Sequence, residues 1–211
     1  MRFRDREQAG ILLAEAIRKE FDYSASIVVG IPRGGMIIAH SVSKTLQIPI
    51  GMIIVKKITH PSNRELAIGA VAQGNVVFWE QQILKDSKLS RKEKIKLSEF
   101  AKDLVKKREK VFGLLYITLD FHGKTIILVD DGVATGATVI AASMALGKMG
   151  AASVILAVPV TSSEIYRRLK KYFSKIIVLN IPEQFYAVGQ FYEEFPEVSE
   201  EEITNLLASS T

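Results

Sequence analysis

The stretch IILVDDGVATGAT, residues 126–138, constrains the fold of this chain more than any other. Ile126, Ile127, Leu128 and Val129 run without a polar interruption into Asp130 and Asp131, as in a strand buried on both faces. The segment that follows, GATVIAASMALGKMG, carries apolar residues at helical spacing and stops near Gly150. Two acids and a run of Gly, Ala and Thr therefore lie where a buried strand turns into a helix.

The rest of the chain repeats that alternation. Asp5 is placed to cap a helix over about 6 to 20, with Ile11, Leu12 and Ile17 inward. SIVVGIP (26–32) reads as a buried strand, and a helix after Gly34 and Gly35 turns Met36, Ile37, Val42 and Leu46 inward. IGMIIV (50–55) is the next strand, and KKITHPSNREL is a polar loop. AIGAVA and NVVFWE form a hairpin turning at Gly74 and Asn75. ASVILAVPV is a strand after the opening motif, Thr161 with Glu164 caps a helix to about 172, and KIIVLN is the last strand. The closing segment brings aromatic residues, Pro182 and Pro196 before a helix capped at Ser199. Strands alternating with helices of this length imply an α/β fold with a doubly wound, mainly parallel sheet, whose ligands sit at the carboxyl ends of the strands. We expect one domain over 1–211, with an inserted helical segment at about 85–113 and a C-terminal segment at about 181–211.

Composition excludes several chemistries. The sequence has no cysteine, which removes disulfides, thiolate metal sites and cysteine nucleophiles. No apolar run is long enough to span a bilayer, and MRFRDREQAG lacks a signal-peptide core, so we expect no membrane partner and a cytoplasmic location. The net charge of +5 is local: residues 85–110 carry nine Lys, two Arg and five acids, a net of +6. Leu97, Phe100, Leu104 and Val111 recur there at helical spacing, and Ser90 with Glu93 forms a capping box, so the stretch reads as one long amphipathic helix. Its charged face has no aromatic platform, which weighs against nucleic acid as a partner.

The opening stretch suits a ligand that joins a phosphate to vicinal hydroxyls. Gly132, Ala134, Gly136 and Ala137 leave backbone N–H groups uncovered at a helix start, and Thr135 and Thr138 add hydroxyl donors, which together favour an anion. Carboxylates accept hydrogen bonds from a diol and favour a sugar that becomes cationic at its anomeric carbon. The Lys followed by Ser or Thr of a Walker loop and the Rossmann glycine pattern are both absent.

ILVDDGVATGAT resembles the PRPP-binding signature of type I phosphoribosyltransferases, where PRPP is 5-phosphoribosyl-1-pyrophosphate. FRDREQAGILLA, GIPRGG, ELAIGAVA and FYAVGQFYEEF extend the resemblance to a widespread, largely uncharacterised branch. It implies the family's sheet with an inserted basic helix and a small C-terminal hood, and a homodimer. It also implies that Asp130 and Asp131 hold the ribose hydroxyls, and that the loop from Ala134 to Thr138 holds the 5-phosphate. The family places its pyrophosphate loop at GIPRGG, so Arg33, Gly34 and Gly35 take that role, with a non-proline cis peptide expected between Pro32 and Gly34. Lys56 and Lys57 are either further contacts to the leaving diphosphate or ordinary surface lysines, and the resemblance favours Lys57.

The catalytic set implied is Asp130, Asp131, Arg33 and Lys57. Mg²⁺ would arrive with PRPP, direct ligation by Asp130 or Asp131 being the lesser option. His60, Asn63, Arg64 and Glu65 lie in a loop that could close over a ligand, and Phe185, Tyr186, Phe191 and Tyr192 offer rings to stack on an acceptor base. The expected activity is transfer of ribose 5-phosphate from PRPP to a nitrogenous acceptor. The alternatives are a regulator that senses PRPP without turnover, with RNA on its basic helix, and hydrolysis of a phosphosugar.

Overall fold

The computed structural model describes residues 1–87, 89–112 and 119–208, with residues 64 and 65 described by backbone alone. In chain order the elements are α1 (Arg6–Glu20), β1 (Ser26–Gly30), α2 (Gly34–Leu46), β2 (Ile50–Met52), β3 (Val55–His60), β4 (Asn63–Ala72) and β5 (Val76–Trp79). They continue with α3 (Gln81–Asp86), α4 (Arg91–Phe112), β6 (Thr125–Val129), α5 (Ala137–Lys148), β7 (Ser153–Val160), α6 (Ser163–Leu169) and β8 (Lys175–Asn180). A turn of 3-10 helix at Val188–Phe191 and then α7 (Glu200–Ala208) follow. Among the described residues no helix is long and apolar enough to cross a membrane.

Five strands form a parallel sheet in the order β2-β1-β6-β7-β8. Successive side chains of a strand point to opposite faces, so continuous apolar runs feed two cores at once. Ile27, Val29, Ile126, Leu128, Leu156 and Val158 pack with Ile140, Ala141 and Leu146 of α5. Val28, Ile127, Val129, Ile155 and Ala157 pack on the other face with Leu13 and Ile17 of α1 and Ile38 and Val42 of α2. This is the doubly wound α/β arrangement expected from the strand and helix rhythm.

The second sheet departs from that expectation. IGMIIV is not one strand: β2 ends at Met52, Ile53 donates to Gly30, and from Val55 the chain enters an antiparallel sheet ordered β3-β4-β5. KKITHPSNREL is a hairpin and not a loop, with Lys57 opposite Ala70 and His60 opposite Asn63. Charge hid the strand: Val55 and Ile58 are buried in different clusters, one on each face, and Lys56 and Lys57 between them leave no alternating apolar pattern to read. The β4–β5 hairpin does turn where expected, with positive φ at Gly74 and Asn75.

The helices show where large apolar side chains mislead. Asp5 caps α1 by accepting from the Gln8 amide at 2.7 Å, as expected, but Ile11 is 50% exposed while Ala9, Gly10, Leu13 and Ala14 are buried. Small residues face α2 because the two helices pack closely. The basic segment is two helices, α3 and α4, of which only α4 is long; its Ser90–Glu93 capping box is present, with Glu93 N bonded to Ser90 Oγ at 3.2 Å and Ser90 N to Glu93 Oε2 at 2.8 Å. Phe100 and Val111, expected inward, are 65% and 52% exposed, whereas Ala101, Val105 and Phe112 are buried with Met52, Ile54, Ile68, Val71 and Ile203. Ser162, and not Thr161, caps α6, which ends at Leu169, short of 172. Ser199 and Glu202 cap α7 reciprocally.

Because Phe112 is fully buried, Phe112→Ala should cost about 3–5 kcal/mol, whereas Phe100→Ala should change stability by less than about 0.5 kcal/mol. Urea unfolding of both variants checks the phase of α4, and equal losses would contradict it.

Candidate functional site

The order of the parallel sheet reverses between β1 and β6: β2 continues from β1 on one side, and β7 and β8 from β6 on the other. Loops leaving two such strands diverge to opposite faces and open a crevice at their carboxyl ends. The loop after β1 holds Pro32, Arg33 and Gly34, the loop after β6 holds Asp130 to Gly136, and both line one cleft of about 510 Å³. The Pro32–Arg33 peptide is cis, within the interval expected.

The acids form the floor. Asp130 Oδ1 accepts the Asp131 amide at 2.9 Å. Asp131 Oδ2 accepts from Arg6 Nε at 3.0 Å and lies 3.0 Å from Arg6 Nη2 in the same ion pair, the Arg6 side chain being 8% exposed against 19% for Asp131. So shielded, the pair is little screened by salt. Arg6 also donates to Pro196 O at 2.8 Å and lies 3.7 Å from the Phe195 ring centre. Burial, followed by the charge of Asp131, pushes the Asp130 carboxyl well above the usual carboxylate range. Burial also raises Asp131, with Arg6 opposing the shift. A Cβ at position 34 would fall 2.0 Å from Asp131 Oδ2 and 2.8 Å from Arg6 Nε, so only glycine lets the start of α2 reach the ion pair.

Cations share the cleft with the acids. Arg33, Lys56, Lys57 and Arg108 line it, the last arriving from α4. Burial, then Arg108, Arg33 and Lys57, lower the Lys56 ammonium below its ordinary range. Arg33 is paired with Glu197, and Arg108 lies 3.5 Å from Glu200 of α7. Four cations and two acids in one cleft suit a ligand that carries concentrated negative charge on one part and hydroxyls on another.

The third wall is the small-residue loop. Gly132, Ala134, Thr135, Gly136 and Thr138 line the cleft, and Ala137 begins α5, buried, just behind them. Gly136 has φ 82°, the left-handed conformation that glycine adopts without penalty. Thr138 Oγ1 is buried with no hydrogen-bond partner among the described residues, a hydroxyl available to a bound anion. Beyond this loop a second cleft of about 660 Å³ shares Lys57, Ala134, Thr135 and Val188 with the first, and Ser162, Glu164, Glu183, Phe185 and Tyr186 line it.

Every site residue named from the sequence except Gly35 and Ala137 lines the main cleft, and those two are buried at the first turns of α2 and α5. The proposed loop at 59–66 is the tip of the β3–β4 hairpin, where His60 Nδ1 accepts the Ser62 amide; the side chains of Arg64 and Glu65 lie outside the described residues. Of the four aromatic candidates, Phe191 and Tyr192 are core residues, and Phe185 and Tyr186 border the second cleft. Sequence reasoning missed Arg6, Arg108 and Glu197. A basic residue opening α1, where the helix dipole favours acids, was a readable signal for Arg6. Arg108 is one cation among many on its helix and carried none.

Comparison with known proteins agrees with this geometry. Residues 4–195 match the phosphoribosyl transferase domain family. A Mycobacterium tuberculosis protein provisionally named a phosphoribosyl transferase, found in strains H37Rv and CDC 1551, is 33% identical over 97% of this chain. The chain spans 46%, about half, of that relative's length. The crystal structure of TT1426 from Thermus thermophilus is 35% identical, with a TM-score of 0.83 over 99% of both chains. A hypoxanthine phosphoribosyltransferase from Staphylococcus aureus, 11% identical with a TM-score of 0.50 over 86% of this chain and 75% of its own, shares the fold alone. A family match through nearly the whole length, on a doubly wound sheet whose two switch-point loops carry the acids and Arg33, means that the chain belongs to the type I phosphoribosyltransferase family.

Proposed function

We propose that this protein transfers ribose 5-phosphate from PRPP to a nitrogenous acceptor and releases pyrophosphate. One observation carries the reading: two acids, four cations and a loop of small residues line a single cleft, a set of groups that a ligand carrying a phosphate, a diol and a diphosphate would satisfy. In this reading the amides of Gly132, Ala134 and Gly136 and the Thr138 hydroxyl bind the 5-phosphate. Asp130 and Asp131 accept from the ribose hydroxyls, with lone pairs left over after the Arg6 and backbone bonds. Arg33, Lys56, Lys57 and Arg108 bind the diphosphate, Arg33 exchanging Glu197 for it.

The reaction breaks the bond from the anomeric carbon to the diphosphate oxygen, which keeps the electron pair, and forms a bond to an acceptor nitrogen, which releases a proton. Ionised Asp130 and Asp131 stabilise positive charge growing on the sugar, while the cations stabilise the departing group. Mg²⁺ would enter on the ligand's phosphates, with Asp130 and Asp131 the residues of the cleft that could hold it directly. When bound, Mg²⁺ would neutralise diphosphate charge. The second cleft, sharing Lys57 and the Ala134–Thr135 edge, is where an acceptor can approach the sugar, with Tyr186 at its border.

Mixing the purified protein with PRPP, Mg²⁺ and a panel of free bases, and measuring released pyrophosphate, tests the reading. Base-dependent release is expected; base-independent release would indicate hydrolysis, and binding without release would indicate sensing. Asp131→Asn should weaken PRPP binding, and an unchanged affinity by calorimetry would overturn the role of the acids.

The raised Asp130 carboxyl adds a pH signature. A carboxyl whose folded pKa is raised stabilises the fold below the unfolded value of about 3.9 and loses that contribution as pH rises through the folded value. Asp130→Asn removes the buried charge, so its melting temperature should exceed that of the wild type near pH 8 and the difference should shrink near pH 4. Thermal melts at both pH values check the sign, and the same variant should lose transferase activity.

A further inference from the structure

The loop after β6 is held from behind by three side chains from three different elements. The Tyr192 hydroxyl donates to Asp131 O at 2.7 Å, and the Thr161 hydroxyl donates to Val133 O at 2.9 Å. The Arg168 guanidinium of α6 donates to Thr135 O. The anchored carbonyls belong to alternate residues, and none of the three donors lines the cleft. A trans peptide points its N–H opposite to its C=O. These peptides are trans, since the cis bond found among the described residues is Pro32–Arg33. Carbonyls drawn away from the cleft at 131, 133 and 135 therefore turn the amides of Gly132, Ala134 and Gly136 towards it. Among the described residues those three amides make no hydrogen bond, whereas Val133 N, on the opposite side, is taken by Val160 O at 2.9 Å.

Arg168 is the least replaceable of the three anchors. Its Nη1 and Nη2 form a two-pronged pair with Glu80 at 2.9 and 2.8 Å, and Glu80 is buried just after β5. The guanidinium so fixed meets the loop where Gly136 must be glycine: a Cβ there would fall 2.9 Å from Arg168 Nη2. The rigid fork of arginine can satisfy a carboxylate and a carbonyl together, which an ammonium does less well.

We propose that Arg168, held by Glu80 and seconded by Tyr192 and Thr161, is a positioning residue that sets the amide donors of the loop for a phosphate before any ligand arrives. The proposal rests on the PRPP reading of the cleft and adds that affinity for the sugar-phosphate end is built outside it. Binding energy then is not spent on ordering the loop, which is the gain from preorganisation.

Calorimetry with ribose 5-phosphate and with inorganic pyrophosphate separates the brace from general damage. In Arg168→Gln, ribose 5-phosphate should bind on the order of tenfold more weakly, as when outer partners of ligand-holding groups are removed. Pyrophosphate, at the Arg33 and Lys57 end, should bind as in the wild type. Arg168→Lys should recover part of the loss. Tyr192→Phe removes one hydroxyl from an otherwise unchanged ring and should shift ribose 5-phosphate binding in the same direction, which keeps the test open if Arg168→Gln does not fold. Wild-type affinity for ribose 5-phosphate in both Arg168→Gln and Tyr192→Phe, or equal loss of both ligands, would overturn the brace while leaving the PRPP reading standing. A wild-type protein that binds neither ligand would overturn the PRPP reading and the brace with it.

Discussion

Two adjacent carboxyls held out of water at the carboxyl end of the central strand of a parallel sheet are the constraint around which this molecule is arranged. Burial of a carboxylate is costly unless a cation or donors compensate it. Arg6 supplies the cation to Asp131, although this opens α1 with the wrong sign of charge. The compensation in turn needs Gly34 to admit it, Phe195 to cover the guanidinium and Pro196 O to take its remaining donor. Among the described residues Asp130 makes no ion pair and accepts only the neighbouring amide, and burial raises it well above the usual carboxylate range. Such a strained acid is characteristic of a site selected for chemistry and not for stability.

The parallel core was legible because each of its strands is a short, unbroken apolar run, and burial on both faces permits nothing else. The acids and the small-residue loop were legible for the same reason, since a strand end fixes where its next residues stand. β3 was not, because Lys56 and Lys57 interrupt its pattern and the reason for a strand there lies in its partner β4. The phase of α4 failed where Phe100 and Val111 outweighed Ala101 and Val105 as apolar signals, although close packing against β3 and β4 favours the smaller side chains. Arg108 and Arg168 were invisible for a different reason: each acts by meeting a group far away in sequence, and nothing local marks one arginine from the next.

The basic segment shows how charge is distributed by function. Most of its lysines are solvated, but α4 packs by Ala101, Val105 and Phe112 against the antiparallel sheet and α7, and this fixes Arg108 in the wall of the cleft. The lysines around it add positive potential beside the cleft. An appendage judged from composition alone to be a mere surface is thus attached to the site by its apolar face.

Arg6 and Phe195 meet at Asp131, and nearby Phe3 pairs with Tyr192 and Asn180 bonds to Met1 O. The two ends of the sheet-forming chain are therefore tied together over a residue that lies between them in sequence. During synthesis the acids emerge from the ribosome about sixty residues before the ring and hydroxyl that cover and brace them. All five strands of the parallel sheet are synthesised by residue 180, so Phe195 to Val198, which complete the wall of the cleft, are the last part of it to be made.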